Sequence, residues 1–208
     1  RRLFVYNGGF LTNTRVRRIL TLSGFDIKLG KPSNGDLVGI WGQSPTSGRG
    51  KAVSAKTDAP LLHIEDAFLR SVLTGRDGDD PIGLHIDYKG VHFDPATVRD
   101  HPLDDAALLA RARDAIETIK TRHLSKYNAF DPATPAPEPG YVVVIDQTRG
   151  DASVKASGAD LNTFREMLFY AQTDHPFAQI IIKTHPETSV GHRGGYYTVA
   201  DTNDRVHL

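Results

Sequence analysis

Cationic and acidic side chains follow an apolar run near the end of this sequence. The run at residues 180–182 is followed by Lys183, His185, Pro186 and Glu187. A short run of aliphatic residues that ends in this way is typical of a buried strand in a parallel sheet, and ligands bind just beyond the carboxyl ends of such strands. Lysine and histidine there, with the glycine-rich loop that follows, suit a phosphate. The alternative is that His185 only caps the strand.

A second group of charged residues follows the apolar residues 60–64. Glu65 and Asp66 come at the end of this predicted strand, and Arg70 lies one helical turn further on. Neighbouring carboxylates at the end of a buried strand repel each other and lose water, which raises the pKa of at least one of them and suits acid/base chemistry. The alternative is that Asp66 is the N-cap of a helix.

A third group follows the apolar residues 141–145. It contains Gln147, Arg149, Asp151 and Ser153, with a glycine that permits a tight turn. Amides and hydroxyls can hold an anion or a sugar, and Asp151 could act as a nucleophile or stabilise a cationic transition state. The alternative is an Asx turn that opens the next helix.

Histidine and aspartate alternate at residues 84–94. A hairpin with a two-residue turn would place four of these side chains on one face. They are His85, Asp87, His92 and Asp94. Two imidazoles and two carboxylates could bind a metal ion, as in a metal-dependent hydrolase, or could form ordinary cross-strand ion pairs.

Strands and helices alternate along the first part of the chain, which predicts an α/β fold with a largely parallel sheet. The longest predicted helix covers residues 103–124, with Leu108, Ala112, Ile116 and Ile119 as its apolar stripe. The other predicted helices cover residues 14–22 and 49–57, and the predicted strands cover residues 3–6, 26–29, 36–41 and 60–64.

A proline-rich segment divides the chain. Residues 131–140 contain four prolines and predict a semi-rigid linker between domains at 1–130 and 141–208. In the second part, strands are predicted at 141–145, 179–183 and 205–208, with a helix at 158–172. Because so few strands make a weak parallel sheet, we expect the natural protein to continue past residue 208.

Composition excludes several classes of protein. The chain has 208 residues, with 25 basic and 25 acidic side chains, so no overall positive field favours nucleic acid. It has no cysteine, which fits the cytoplasm. No apolar run approaches the roughly 20 residues needed to cross a bilayer, which predicts a soluble protein. Peripheral contact with a membrane stays open.

Taken together, several segments resemble the capsule polysaccharide biosynthesis family, which includes KpsC-type β-Kdo glycosyltransferases. They are WGQSP at 41–45, EDAFLRS at 65–71, VIDQTRGDAS at 144–153 and KTHPE at 183–187. The resemblance implies a GT-B fold of two Rossmann-like domains, the first on the acceptor side and the second for the donor. It also implies CMP-Kdo as donor, a glycolipid acceptor, other capsule assembly proteins as partners, and neither a cofactor nor a metal.

The acidic and His-Pro segments are also similar to motifs of bacterial GT-B sialyltransferases, in which they serve acid/base chemistry and hold the CMP phosphate. On that basis Lys183 and His185 would neutralise the leaving phosphate. Asp151, or failing that Glu65, would be the nucleophile of a retaining double displacement. Glu65 or Asp66 would transfer the acceptor proton, and two arginines could pair with the carboxylate of the sugar; they are Arg70 and Arg149. Family members continue past the segments found here, so a non-catalytic fragment is the further alternative.

Overall fold

The chain forms two compact units in the computed structural model. The structure describes residues 1–73, 75, 78–94, 97, 99, 102–126, 128, 130–131 and 133–208. The first unit is Arg1–Phe130 and the second is Asp131–Leu208. The division falls at the start of the proline-rich segment.

Unit 1 contains a five-stranded sheet in the order β2-β1-β3-β4-β5. The first four strands in this order are parallel, and β5 runs antiparallel to β4 at the edge. Because parallel strands end at a common edge, the carboxyl ends of β3 and β4 lie side by side. The strands are β1 Arg2–Val5, β2 Asp26–Lys28, β3 Leu37–Trp41, β4 Leu61–Asp66 and β5 Leu84–Asp87.

The helices of unit 1 begin and end where capping residues permit. The Asn13 side chain accepts a hydrogen bond from the Val16 amide at the start of α2. Helix α3 ends at Asp58, which has a left-handed backbone with φ of 54°. The helices are α1 Gly9–Thr12, α2 Thr14–Leu22, α3 Ser47–Thr57 and α4 Ala106–Thr121.

Apolar side chains from α1, α2 and the parallel strands form the main core of unit 1. Phe10, Val16 and Leu20 pack against Leu3 and Ile64, and all five are buried. On the other face of the sheet, α3 packs against a smaller cluster that includes Val38 and Ile40. The sheet is therefore covered by helices on both faces, as the run of buried residues in β3 predicts.

Helix α4 leaves its apolar stripe largely exposed. It has the predicted amphipathic pattern and begins at Asp105, whose carboxylate accepts from the Leu108 amide. None of its residues is buried, and the side chains of Leu108 and Ile116 are 45% and 51% exposed. The predicted helix is therefore confirmed with shorter bounds, and its apolar stripe lies on the surface.

The predicted hairpin at residues 84–94 was also wrong. Strand β5 pairs with β4 instead, so that Ile86 lies opposite Ile64. Residues 91–94 form a turn, and the Asp87 carboxylate accepts from the amides of Lys89 and Gly90 as an Asx turn. The Asx turn of Asp87 and the pairing of β5 with the open edge of β4 thus form in place of the predicted two-residue hairpin turn.

Unit 2 contains three parallel strands in the order β6-β7-β8. They are β6 Val142–Ile145, β7 Ile180–Lys183 and β8 Val206–His207. The helices are α5 Ala152–Ala156, α6 Leu161–Asp174 and α7 Pro186–Ser189. The predicted helix at 158–172 thus begins later, at Leu161, because Asp160 forms a capping box with Thr163.

The core of unit 2 lies between the sheet and α6. Phe164 and Leu168 of α6 pack with Val144, Ile180 and Val206 of the strands. These residues hold β6 and β7 in register, so that Ile145 pairs with Lys183 and both strands end at the same edge.

Candidate functional site

Two loops meet at the carboxyl edge of the sheet in unit 2. The loop after β6 pairs with the glycine-rich loop through an isolated bridge between Thr148 and Gly195. The Arg149 amide donates to the Gly194 carbonyl at 2.8 Å, and the Arg149 Nε donates to the Gly195 carbonyl at 2.7 Å. In return, the Arg193 guanidinium donates to the Arg149 carbonyl at 2.9 Å. The two loops are therefore held together by several hydrogen bonds.

Asp146 lies beneath both loops and positions them. Its side chain is buried, and one carboxylate oxygen accepts from the Gln147 amide at 2.7 Å and from the Tyr196 amide at 2.9 Å. The other oxygen is buried without a hydrogen-bond partner among the described residues. A Cβ at residue 195 would lie 2.1 Å from that oxygen, so Gly195 lets the glycine-rich loop approach the carboxylate.

Asp151 is the N-cap of α5, as the Asx-turn alternative predicted. Its Oδ1 accepts from the amide of Ser153 at 2.9 Å and from the hydroxyl of the same residue at 2.5 Å. Burial alone would raise the pKa of Asp151, but the hydrogen bonds from Ser153 and the charges of Arg193 and His185 together lower it. The carboxylate is therefore ionised at neutral pH, as a nucleophile requires.

His185 and Arg193 lie beside Asp151 and favour its ionised form. His185 is the N-cap of α7, and its Nδ1 accepts from the Glu187 amide at 3.1 Å, so the neutral ring carries its proton on Nε2. Arg193 Nη1 lies 3.9 Å from Asp151 Oδ2 and 3.7 Å from Glu187 Oε2. A guanidinium, an imidazole that can donate through Nε2, and two carboxylates therefore share this edge of the sheet.

The other predicted residues of unit 2 lie at the same edge. Lys183 is the exposed last residue of β7, and Pro186 is the first residue of α7. Gln147 accepts from the Thr148 amide through its side-chain oxygen at 2.8 Å. The structure thus brings together, within unit 2, the predicted residues Gln147, Arg149, Asp151, Ser153, Lys183, His185, Pro186 and Glu187.

Unit 1 contains the other predicted carboxylates, at the end of β4. Glu65 lies opposite His85 of β5 and accepts from the Asp66 amide at 3.0 Å. Burial raises the pKa of Glu65 and the charge of Asp66 adds to this, whereas the Asp66 amide and the charges of Lys126 and His85 lower it in part. A carboxyl group with a raised pKa can hold a proton and release it near neutral pH.

Asp66 and Arg70 form an ion pair rather than a helix cap. Asp66 is the last residue of β4, so the alternative that it caps a helix was wrong. Arg70 Nε lies 2.9 Å from Asp66 Oδ2, and Arg70 Nη1 donates to the Ser71 hydroxyl and to the Asp79 carbonyl. Arg70 thereby holds the loop that follows the strand, and pairing with a sugar carboxylate stays a prediction.

Three residues that position these groups were not among the predicted site residues. They are Asp146, Gly195 and Gly42, whose added Cβ would lie 2.0 Å from Glu65 Oε2. Asp146 could have been found as the first polar residue after a buried strand. The two glycines become significant only when the contacts across the fold are known.

The metal hypothesis depended on the hairpin that is not formed. His85 Nε2 instead lies 3.2 Å from the Gly90 carbonyl, and Asp87 is occupied by its Asx turn. Among the described residues, no group of three or more histidine, cysteine or acidic side chains is arranged to hold a metal ion.

The chain is similar to known capsule proteins. A family model described as capsule polysaccharide biosynthesis protein matches residues 131–208. The capsule polysaccharide modification protein LipA of Neisseria meningitidis serogroup B is 36% identical over 183 residues, which are 81% of this chain and 26% of LipA. The chain belongs to the capsule polysaccharide biosynthesis family. The resemblance seen in the sequence is thereby confirmed.

Solved structures of this family share the fold. Thermosulfurimonas dismutans KpsC, beta Kdo 2,4 transferase, matches with a TM-score of 0.83 and 28% identity over the whole of this chain and 68% of that one. The beta Kdo 2,7 transferase of the same KpsC matches with a TM-score of 0.59 and 18% identity, which shows the fold alone. The predicted GT-B-like α/β fold is therefore confirmed.

This member of the family spans only about a quarter of the length of its LipA relative. Within the described part of the chain, no helix is long and apolar enough to cross a membrane.

Proposed function

We propose that this chain is part of a glycosyltransferase that moves Kdo, a sugar acid, from CMP-Kdo to a glycolipid acceptor in capsule biosynthesis. The observation that supports it most is the shared edge in unit 2, where an ionised carboxylate lies beside cationic groups. Asp151 Oδ2 is 3.9 Å from Arg193, and the charge of His185 lowers the pKa of the same carboxyl. The structural similarity to a Kdo transferase supports the choice of substrate class.

The reaction would proceed by two displacements. The Asp151 carboxylate attacks the anomeric carbon of Kdo, the bond from that carbon to the phosphate oxygen breaks, and CMP leaves with the electron pair. Lys183 and Arg193 neutralise the phosphate charge that develops, and His185 donates a hydrogen bond to the phosphate through Nε2. An acceptor hydroxyl then attacks the same carbon, gives its proton to a general base, and releases Asp151. Two inversions retain the configuration.

The activity is tested with a longer protein that contains this chain. We expect CMP release and transfer of Kdo to a lipid-linked sugar when CMP-Kdo is supplied, and NMR of the product should show the anomeric configuration of the donor. Transfer with inverted configuration would contradict the double displacement and leave the activity standing. Absence of both transfer and CMP release would contradict the activity itself.

The phosphate-binding role is tested on the 208-residue chain. CMP should raise its melting temperature, because a ligand that binds only the folded state stabilises it. Lys183→Ala should reduce this increase. Lys155→Ala, which removes a cation from the exposed surface of α5, should not. If the two variants change the CMP-dependent rise in melting temperature equally, Lys183 is not part of the donor site.

We place the protein on the cytoplasmic side, where a nucleotide-activated donor is available, with peripheral contact to the inner membrane through its acceptor.

The two rival functions predict different experimental results. A non-catalytic binding piece would bind CMP without turnover in the longer protein. A metal-dependent hydrolase would copurify with stoichiometric metal.

A further inference from the structure

A cavity in unit 2 lies beside the carboxyl edge of the sheet, which we call the donor edge because the proposed function places CMP-Kdo there. None of the proposed reaction steps uses this cavity. Its volume is about 300 Å³, at the lower end of the range for small-molecule sites, and it lies between α6 and residues 196–201. Three aromatic rings line it, those of Phe164 and Phe169 of α6 and that of Tyr196. Arg149 and Arg165 also line it.

The cavity has an excess of positive charge. Arg149 is anchored through its Nε on the Gly195 carbonyl at 2.7 Å, so its position is fixed. The side chain of Arg165 makes neither a hydrogen bond nor an ion pair to any residue that the structure describes. The acidic residue of the lining is Asp201, whose carboxylate is used to cap a turn by accepting from the amide and hydroxyl of Thr198 at 2.7 and 3.1 Å. The guanidinium groups are therefore available to an anion.

The aromatic wall of the cavity is rigid and partly open. The rings of Phe164 and Tyr196 are stacked, with centroids 3.9 Å apart and planes 2° from parallel. Tyr196 is also held by its amide, which donates to the Asp146 carboxylate. Phe169 packs edge-to-face on Tyr170 and is 60% exposed, so the free part of its ring can cover the C–H face of a ligand.

We propose that this cavity binds the ring of an acidic sugar, with the sugar carboxylate between Arg149 and Arg165. Guanidinium groups bind a planar carboxylate through paired hydrogen bonds, and the aromatic wall would cover the apolar face of the ring. The choice of a sugar acid over other carboxylates rests on the proposed function. The Arg149 carbonyl accepts from Arg193, so Arg149 joins this cavity to the donor edge.

The carboxylate is tested first, with glucuronate and glucose as probes that differ in that group. Calorimetry on the 208-residue chain should show that glucuronate binds about tenfold more tightly than glucose, since a hydrogen-bonded charge accounts for such a difference. Arg165→Ala should remove most of this preference, and Lys155→Ala should leave it unchanged. Phe169→Ala, at an exposed position that does not endanger folding, should weaken the binding of glucuronate and of glucose by the same factor. Equal binding of the two sugars, or equal effects of Arg165→Ala and Lys155→Ala, would overturn the proposal.

The acidic sugar could be that of the donor or one already attached to the acceptor. If it is the donor sugar, CMP-Kdo binds more tightly than CMP and Arg165→Ala removes the difference. If it is an attached sugar, Arg165→Ala weakens free Kdo and leaves CMP-Kdo unchanged. Both results support the cavity as an acidic-sugar site, whereas Arg165→Ala without effect on either ligand contradicts it.

Failure of this proposal is distinct from failure of the proposed function. If the longer protein transfers Kdo while Arg165→Ala changes no sugar affinity, the cavity assignment alone is wrong. If glucuronate binding depends on Arg165 but the longer protein neither releases CMP nor transfers Kdo, the activity is wrong and the cavity stands.

Discussion

Asp151 combines a structural and a chemical role that two substitutions can separate. The carboxylate caps α5 through Ser153, and the proposed mechanism uses the same group as nucleophile. Asn keeps the capping oxygen and removes the charge, whereas Ala removes both. We expect Asp151→Asn to leave the stability of the 208-residue chain nearly unchanged and Asp151→Ala to lower it by about 1 kcal/mol.

In the longer protein, both Asp151 variants should lose on the order of 10³-fold or more in transfer rate. Urea unfolding and initial-rate measurements provide the two readouts. Because Asp151→Asn keeps the helix cap and removes only the charge, a variant that retains most of the transfer rate would show that Asp151 is not the nucleophile.

Glu65 makes a prediction about pH. Burial raises the pKa of its carboxyl above the ordinary value of 4.5, so the folded chain holds this proton to a higher pH than the unfolded chain does. The stability linked to the bound proton is fully present below pH 4.5 and is lost as the pH rises through the folded pKa. Glu65→Gln stays neutral and avoids this loss. Relative to the natural chain, its free energy of unfolding should therefore increase as the pH rises through that window.

The control for Glu65 is Glu117→Gln on the exposed surface of α4. Urea unfolding at a series of pH values measures both variants. If the difference between Glu65→Gln and the natural chain does not change with pH, or decreases as the pH rises, the environment assigned to Glu65 is wrong.

At the scale of elements, the packing of α3 on β3 depends on a glycine. A Cβ at Gly50 would lie 2.5 Å from Ile40 Cγ2 and 3.4 Å from Val38 Cγ1, and both side chains are buried. We expect Gly50→Ala to destabilise the chain by about 1–3 kcal/mol through overpacking.

The same helix offers a matched control for Gly50. Gly48 has no heavy atom within 4 Å of its added Cβ, so Gly48→Ala should be neutral or stabilise the chain by up to about 1 kcal/mol. Thermal or urea unfolding compares the two. Equal effects would show that general helix propensity, rather than the approach to β3, decides the result.

Elements specified by local pattern were predictable from the sequence, and those specified by distant contacts were not. Helix α2 has the predicted bounds, because Asn13 begins it and its apolar spacing is regular. The partner of β5 was mispredicted, because the sequence gives a turn at Lys89 but not the open edge of β4. Helix α4 was predicted from its apolar spacing, yet spacing alone does not say what covers the stripe.

The same distinction applies to the site. Strand ends and polar loops identified Asp151, His185 and Lys183 from the sequence, because polar residues after buried strands gather at one edge. The positioning role of Asp146 depends on the Tyr196 amide, which is 50 residues away along the chain. Long-range hydrogen bonds of this kind leave no periodic signal in a sequence.

At the scale of the molecule, the groups proposed to bind the CMP phosphate all belong to unit 2. The chain has no net charge, so its overall field does not attract a nucleotide, and affinity must come from local cations. The described residues of the proline-rich segment before β6 are exposed and outside helices and strands, which makes them accessible to proteases. Cleavage in this segment can therefore test whether CMP binding needs an intact connection.

Elastase, which cleaves after small residues, should cut first after Ala133, where no proline follows. We expect the cut chain, still carrying Lys183, His185 and Arg193 in one piece, to show the same CMP-dependent rise in melting temperature as the intact chain. Ala133→Pro should slow the first cut and serves as the matched control. The opposite result would be that CMP no longer raises the melting temperature of the cut chain but still raises that of the uncut Ala133→Pro chain. In that case CMP binding needs unit 1, and Lys183, His185 and Arg193 are insufficient by themselves.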